Sequence, residues 1–110
     1  MSGREYLGEF EQVVMLALLR LGDGAYGATI HQEILETTGR DVSIPSVYVT
    51  LKRLEKKGLV RSVVQATGST GARATRNYAL RPEGERALER SREMLDSLWR
   101  GVKGARARAR

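Results

Sequence analysis

The sequence predicts a mainly helical fold with one small two-stranded β-hairpin and a long helix near the C-terminal end. Apolar residues recur at helical spacing in four segments, two short Val- and Thr-containing segments follow the third, and glycines fall where segments end. A chain of 110 residues has room for one domain and one appended helix. The predicted order is helix, helix, helix, strand, strand, helix.

The first two helices are predicted from apolar periodicity. The first is expected between residues 5 and 21, and its second half is apolar on nearly all sides, so it must be buried on several of them. Gly22 begins the loop that ends it. In the second helix Ile30 and Ile34 lie one turn apart, and Gly39 stops the segment.

The third helix is predicted to begin at Ser43 and to run to about Lys57. Ser43 is a favourable N-cap, Pro45 falls in the first turn where its missing N–H costs little, and Gly58 ends the helix. Three apolar side chains about one turn apart form the face that packs on the core: Val47, Leu51 and Leu54. The opposite face is therefore exposed.

Two strands and a long helix complete the fold. The segments 59–65 and 75–80 predict an antiparallel pair, and the Gly-rich loop between them is longer than a tight turn needs. From Pro82 a helix of about 20 residues, roughly 30 Å long, carries one apolar stripe. The preceding residues cannot cover so long a stripe. We expect it to meet a second copy of the chain, and folding back on the first helix is the alternative.

Basic residues are concentrated in one part of the chain. The formal net charge is +6, yet residues 1–51 carry three arginines against seven acids, while residues 52–81 carry eight basic residues and one acid. Mixed surfaces usually intersperse the two signs. This segregation favours a polyanionic partner, with nucleic acid ahead of an anionic membrane.

The exposed face of the third helix carries groups suited to DNA. Arginine and lysine can bind guanine edges, a serine hydroxyl can bind phosphate and valine can contact thymine methyls, all from a helix that fits the major groove. The candidates are Ser46, Tyr48, Val49, Lys52, Arg53 and Lys56. In the hairpin, Arg73 and Arg76 are expected to contact the DNA backbone or the minor groove. This combination predicts a winged helix-turn-helix; a solvated amphipathic helix is the alternative for the third helix alone.

Other kinds of site have little support in the sequence. The chain has no cysteine, and His31 is its single histidine, so neither a disulfide, a thiolate zinc site nor a catalytic triad is expected. No catalytic constellation is visible. We therefore predict no enzymatic activity, no metal and no cofactor. The apolar segment VVMLALL is too short to span a bilayer, which makes the cytoplasm the expected location.

Three segments resemble the PadR family of bacterial transcriptional regulators over residues 8–88: GEFEQVVMLALLRLGDGAYGATI, SIPSVYVTLKRLEKKGLV and RNYALRPEGERAL. The resemblance implies a homodimeric winged-helix repressor whose last helix is the dimerisation arm. The short tail is similar to the subgroup with a single such helix. Val49 departs from the proline usual in the family, so we expect a base preference different from that of relatives with proline. Arg81 stands where a threonine usually caps the last helix, which suggests a weaker N-cap.

The resulting division is a winged helix-turn-helix domain at residues 1–81, a dimerisation helix at 82–104 and a basic tail without fixed structure at 105–110. Dimer contacts are assigned to the apolar stripe, namely Leu88, Leu95, Leu98 and Val102. In some relatives of this short architecture an aromatic residue on the last helix stacks on flat ligands, and Trp99 lies at a similar place. Packing of Trp99 in the dimer interface is the favoured hypothesis, and ligand binding is the alternative.

The predicted function is that of a dimeric regulator that binds an inverted-repeat operator in double-stranded DNA. Repression, and release by a small planar effector at the dimer interface, are part of this expectation. One third helix per subunit would enter successive major grooves, about 34–36 Å apart. The alternative is a winged-helix module that binds protein or RNA without reading a DNA sequence. Contact between the basic tail and DNA is left open.

Overall fold

The computed structural model describes residues 6–65 and 75–102. In these ranges the chain forms α1 (Glu9–Leu21), α2 (Gly27–Thr38), α3 (Ile44–Lys56), β1 (Val60–Gln65), β2 (Thr75–Leu80) and α4 (Pro82–Trp99). The mainly helical fold class and the order of elements predicted from the sequence are confirmed.

Helix α1 lies at the centre of the core, where it packs against α2, α3, β2 and α4. This position explains most of the apolar sides of the second half of the helix, whereas Leu16 and Leu19 stay about half exposed. The largest fully buried side chains come from α1, α2, α3 and β1: Val14, Met15, Ile30, Val47, Leu51, Leu54 and Val60. Burying each such side chain contributes about 1.5–3 kcal/mol. Three of them belong to α3, and because they are buried the opposite face of that helix is exposed to solvent.

The start of α1 lies later than predicted. Residues 6–8 are not helical, and α1 begins at Glu9 rather than near residue 5. Gly8 is the N-cap with extended backbone, and its N–H donates a 2.9 Å hydrogen bond to the carboxylate of Glu11. A glutamate three residues after the N-cap satisfies a backbone donor that the helix itself leaves unpaired. The apolar side chain of Leu7, three residues before Phe10, extended the periodic pattern beyond the helix itself.

Helix α4 is shorter than predicted. Arg81 makes no side-chain capping bond, as its departure from the family pattern suggested, and Pro82 occupies the first turn. The helix ends at Trp99, because Gly101 has a φ of 87°, a left-handed conformation that turns the chain off the helical path. Val102 was assigned to the apolar stripe of this helix, but it lies beyond the helix end.

Two close backbone contacts help to attach the hairpin to the helices. Strands β1 and β2 are antiparallel, with Val60 opposite Leu80, and the N–H of Tyr78 donates to the carbonyl of Ala25 in the α1–α2 loop at 2.8 Å. At the base of the hairpin, Gly84 in the first turn of α4 lies so close to Leu59 that a Cβ atom would meet the Leu59 carbonyl oxygen at 2.3 Å. Only glycine permits this approach, so α4 fixes the base of the hairpin.

A charged contact connects α1 to the end of α3. The Lys57 ammonium donates to the Glu11 carboxylate at 2.9 Å, and the Glu11 side chain is only 8% exposed. Burial alone would raise the pKa of Glu11. The hydrogen bonds from Lys57 and Gly8 and the positive charges of Lys57 and Arg53 outweigh burial, so the pKa of Glu11 lies below its ordinary value.

Replacing Glu11 with Gln is expected to lower the free energy of unfolding at pH 7 by about 1–3 kcal/mol, because a charged hydrogen bond to Lys57 is lost. A carboxyl whose pKa is lowered by folding stabilises the fold above its ordinary pKa, near 4.5, and loses that contribution as the pH falls. The difference between the wild type and Glu11→Gln should therefore shrink in acid. Urea denaturation at fixed protein concentration, at pH 7 and at about pH 3.5, measures it.

Glu36 provides the matched control for this measurement. Its side chain is exposed on α2, so Glu36→Gln removes the same charge without a buried ion pair and should change stability by no more than about 0.5 kcal/mol. An equal loss of stability by Glu11→Gln at both pH values would contradict an electrostatic role for this contact.

Candidate nucleic-acid interface

The N-terminus of α3 is held by two serines. The Ser46 N–H donates to the Ser43 Oγ at 3.2 Å, which confirms the predicted N-cap. The Ser46 hydroxyl in turn donates to the Ser43 carbonyl at 2.8 Å. A hydroxyl has one hydrogen to donate, and in Ser46 it is engaged in the cap. The predicted phosphate contact by Ser46 would have to replace this bond.

The middle and end of α3 present a basic face to solvent. The side chains of Val49, Lys52, Arg53 and Lys56 are exposed and line one shallow depression together with Glu55. Among the described residues, salt bridges do not involve the three cations of this face. Their charges are therefore available to a polyanion. Val49 is 56% exposed and offers the one apolar contact in the group.

Tyr48 has a packing role at the margin of this face. Its side chain is 44% exposed, and its phenol lies so close to Gly27 that a Cβ atom there would stand 2.1 Å from the Tyr48 Oη. Glycine at the first position of α2 therefore leaves room for the Tyr48 ring. This contact fixes the first turn of α2 against α3, the two helices that form the helix-turn-helix.

Arg76 lies on the side of the hairpin that faces α3. Its Nη1 donates to the Ser62 Oγ on β1 at 2.9 Å, and the Ser62 hydroxyl donates to the Glu55 Oε2 on α3 at 2.7 Å. Burial raises the pKa of the neighbouring Tyr78 phenol, and the charge of Arg76 opposes this shift. Arg73, the other predicted wing residue, lies outside the described residues.

A second surface lies between α1 and α4. Every residue of α4 from Arg92 to Trp99 is exposed, including Leu95 at 44%, Leu98 at 68% and Trp99 at 64%. Leu16 and Leu19 of α1 are also about half exposed and line a groove with Leu95 and Trp99. The second half of α4 thus projects from the domain, and its apolar side chains are not covered by α1.

Two of the four residues assigned to dimer contacts lie outside the exposed half of α4. Leu88 is only 8% exposed and belongs to the chain's own core, because the first half of α4 packs on the domain. Val102 lies past the end of the helix. The exposed part of the predicted stripe within α4 is therefore Leu95 and Leu98, with Trp99 beside them, and Val102, also exposed, follows the helix end.

Metal ligands do not cluster in the part of the chain that the structure describes: no group of three His, Cys, Asp or Glu side chains could hold an ion there. His31 instead lies 3.5 Å from the Asp41 carboxylate. Within residues 6–65 and 75–102, no helix has both the length and the apolar composition needed to cross a membrane.

Sequence reasoning missed Glu55 and Ser62 as members of this site. Ser62 falls within a Val-rich strand, where a polar residue is ordinary, and Glu55 is the single acid in the basic segment 52–81. That isolated acid was the available signal, since a carboxylate among cations suggests a specific partner. Its partner depends on the docking of β1 against α3, which no local pattern specifies.

The comparisons with known proteins agree with this geometry. Residues 15–90 match the family model described as the transcriptional regulator PadR-like family. A PadR family transcriptional regulator from Eggerthella lenta DSM 2243 is 29% identical, covering 86% of this chain and 82% of its own, with a TM-score of 0.67. A PadR-like transcription factor from Bacteroides fragilis is 26% identical, covering 84% of this chain and 85% of its own, with a TM-score of 0.71.

One part of a different kind of protein is similar in fold. The Aeropyrum pernix ORC1 protein, solved in complex with DNA, is 28% identical over 76% of this chain and 24% of its own, with a TM-score of 0.60. A search of curated proteins gives no match. The family model covers well over half of the chain, in agreement with the resemblance of its three segments. The chain belongs to the PadR-like family of transcriptional regulators.

Proposed function

We propose that the protein is a homodimeric repressor that binds an inverted-repeat operator, with one α3 per subunit in successive major grooves. The observation that carries the proposal is the exposed basic face of Lys52, Arg53 and Lys56, beside a hairpin with a cation turned toward it. A helix of this kind fits the major groove, and a basic hairpin beside it suits the flanking backbone. A DNA-bound ORC1 protein of similar fold supports a nucleic-acid partner. Such a regulator would act in the cytoplasm.

A second copy of the chain is the proposed occupant of the groove between α1 and α4. The groove has apolar side chains from both helices and a rim with both charge signs, including Arg92 and Asp96. In a two-fold dimer the same patch serves both subunits, so the projecting half of each α4 can enter the groove of the other. Exposed leucines and a tryptophan on one helix face are typical of an interface core.

Trp99 has two possible partners within this proposal. As the favoured role, it packs against the second copy of the chain, since a single aromatic side chain makes a thin binding site. The alternative is a planar effector that stacks on Trp99 and releases the operator by changing the angle between the two subunits. Both roles use the same exposed face of α4.

The decisive experiment is selection of bound duplexes from a random pool, followed by affinity measurements on the recovered sequence. We expect a pseudo-palindrome that the protein binds about 1,000-fold or more tightly than random duplex at physiological salt. Equal affinities for both, lost together as salt rises, would show only electrostatic attraction. That result would favour the alternative, a winged-helix module that binds protein or RNA without reading a DNA sequence.

A further inference from the structure

Glu55, Ser62 and Arg76 come from three different elements and meet on the face of the hairpin that looks toward α3. Ser62 lies opposite Tyr78 and Val64 lies opposite Arg76 in the antiparallel register. Because side chains alternate along a strand, Ser62 and Arg76 are diagonal neighbours on one face of the sheet. The Arg76 guanidinium reaches Ser62 at 2.9 Å, and Ser62 reaches Glu55 at 2.7 Å.

The chemistry of the three groups fixes the order of the hydrogen bonds. A guanidinium can only donate and a carboxylate can only accept, whereas the Ser62 hydroxyl between them does both. One hydroxyl therefore connects the hairpin cation Arg76 to α3. Replacing Ser62 with a residue that lacks a hydroxyl breaks both bonds and leaves the formal charge of the chain unchanged.

The electrostatics of this contact bear on DNA binding. Glu55 is the only acid between residues 52 and 81 and lies on α3 among Lys52, Arg53 and Lys56. A carboxylate at this place would repel phosphates unless a cation offset its charge. Arg76 supplies that cation through Ser62, and the same contact restricts the guanidinium to the side of the hairpin next to α3.

We propose that Glu55, Ser62 and Arg76 form a positioning relay that sets the angle of the hairpin to α3 and orients Arg76 toward the DNA backbone. The inference rests on the proposed function for its DNA partner. Orienting a long side chain before binding reduces the conformational entropy that is lost on binding. Ser62 is the positioning residue, and Arg76 makes the contact.

The test compares Ser62→Ala with Ser62→Thr, which keeps a hydroxyl and suits a strand. With the duplex recovered by selection, Ser62→Ala should bind about three- to tenfold more weakly, since it loses two charge-assisted bonds. The slope of log affinity against log salt should become shallower by the equivalent of about one phosphate contact, because Arg76 no longer contacts its phosphate. Ser62→Thr should bind like the wild type. Unchanged affinity and slope in Ser62→Ala would overturn the relay.

A double-mutant cycle with Arg76→Ala separates positioning from a general loss of stability. If Ser62 acts through Arg76, adding Ser62→Ala to Arg76→Ala should weaken binding no further. If the double variant loses affinity by the product of the two single fold-losses, the proposal is overturned. Arg76 is exposed, so the Arg76→Ala chain should fold, and circular dichroism of every variant checks this.

Side-chain NMR of the free protein tests the relay without DNA. The Arg76 guanidinium should show restricted motion in the wild type and in Ser62→Thr, and free motion in Ser62→Ala. A freely moving guanidinium in the wild type would overturn the relay whatever the DNA result. Absence of any duplex preference in the wild type would instead overturn the proposed function, and with it the DNA role of the relay.

Discussion

Replacing Leu98 with Asp is expected to convert the dimer into monomers. Leu98 is 68% exposed in the single chain and lies on the projecting half of α4 with Leu95 and Trp99. In the proposed dimer this face is buried against the second copy, and two-fold symmetry places each substitution in the interface twice. Burying an unpaired carboxylate costs several kcal/mol. Sedimentation equilibrium of the wild type and of Leu98→Asp measures the change.

Loss of the dimer should also weaken operator binding. A dimer engages two half-sites at once, so a monomer that binds one half-site should lose about 100-fold or more in affinity for the inverted repeat. Affinity for a duplex with one half-site should change little, because α3 is distant from the substitution in sequence and belongs to the folded domain. The single tryptophan, Trp99, provides a further signal, since its emission should shift to the red when the interface opens.

Ser97→Asp is the matched control for this prediction. Ser97 lies in the same turn of α4, but helical geometry of about 100° per residue places it about 160° from Leu95 and about 100° from Leu98, off the face that they share. The control introduces the same charge at the same distance along the helix and should leave the dimer intact. A Leu98→Asp chain that sediments as an unchanged dimer would mean that the exposed face of α4 does not form the dimer interface and packs elsewhere.

Local patterns predicted most of the fold because each of its boundaries has a local cause. Ser43 caps α3 through its own side chain, and Gly39 and Gly58 adopt left-handed conformations at helix ends, with φ of 76° and 77°. Apolar spacing identified the buried face of α3 because every member of it lies within one helix. Such features depend on a few neighbouring residues, so they can be recognised without the rest of the chain.

The prediction was incomplete where distant elements decide the outcome. Glu11 and Lys57 are 46 residues apart and meet only because α1 packs across the end of α3. The stripe on α4 looked uniform, yet Leu88 is buried and Leu98 is exposed, since only the first half of the helix packs on the domain. Candidate DNA-binding residues could be named from charge and spacing, but the Ser62 partner of Arg76 is revealed only by the pairing of the two strands.

Replacing Arg53 or Lys52 with Ala is expected to lower operator affinity by about 1–3 kcal/mol each, roughly 5- to 150-fold, if each side chain reads a base. Both side chains are exposed on α3 without a salt bridge among the described residues, so their removal should leave the fold intact. A base-reading residue should also relax the preference at one operator position. A residue that contacts only phosphate should weaken binding to all duplexes alike and reduce the salt slope by about one contact. Fluorescence anisotropy with the selected duplex, single-base variants of it and random duplex separates these two roles.

Arg86→Ala is the control that isolates the face of α3 from the charge of the whole chain. Arg86 is a cation on α4 whose side chain is 63% exposed and lies 4.0 Å from Glu83. Its replacement removes one positive charge, as Arg53→Ala does, but from a different helix than the one proposed to contact DNA. At physiological salt, the attraction between separated charges is screened beyond about 8–10 Å. A cation far from the DNA therefore contributes little, and Arg86→Ala should keep most of the operator affinity. Equal losses for Arg53→Ala and Arg86→Ala would mean that the overall charge of the chain, and not the exposed face of α3, holds the DNA.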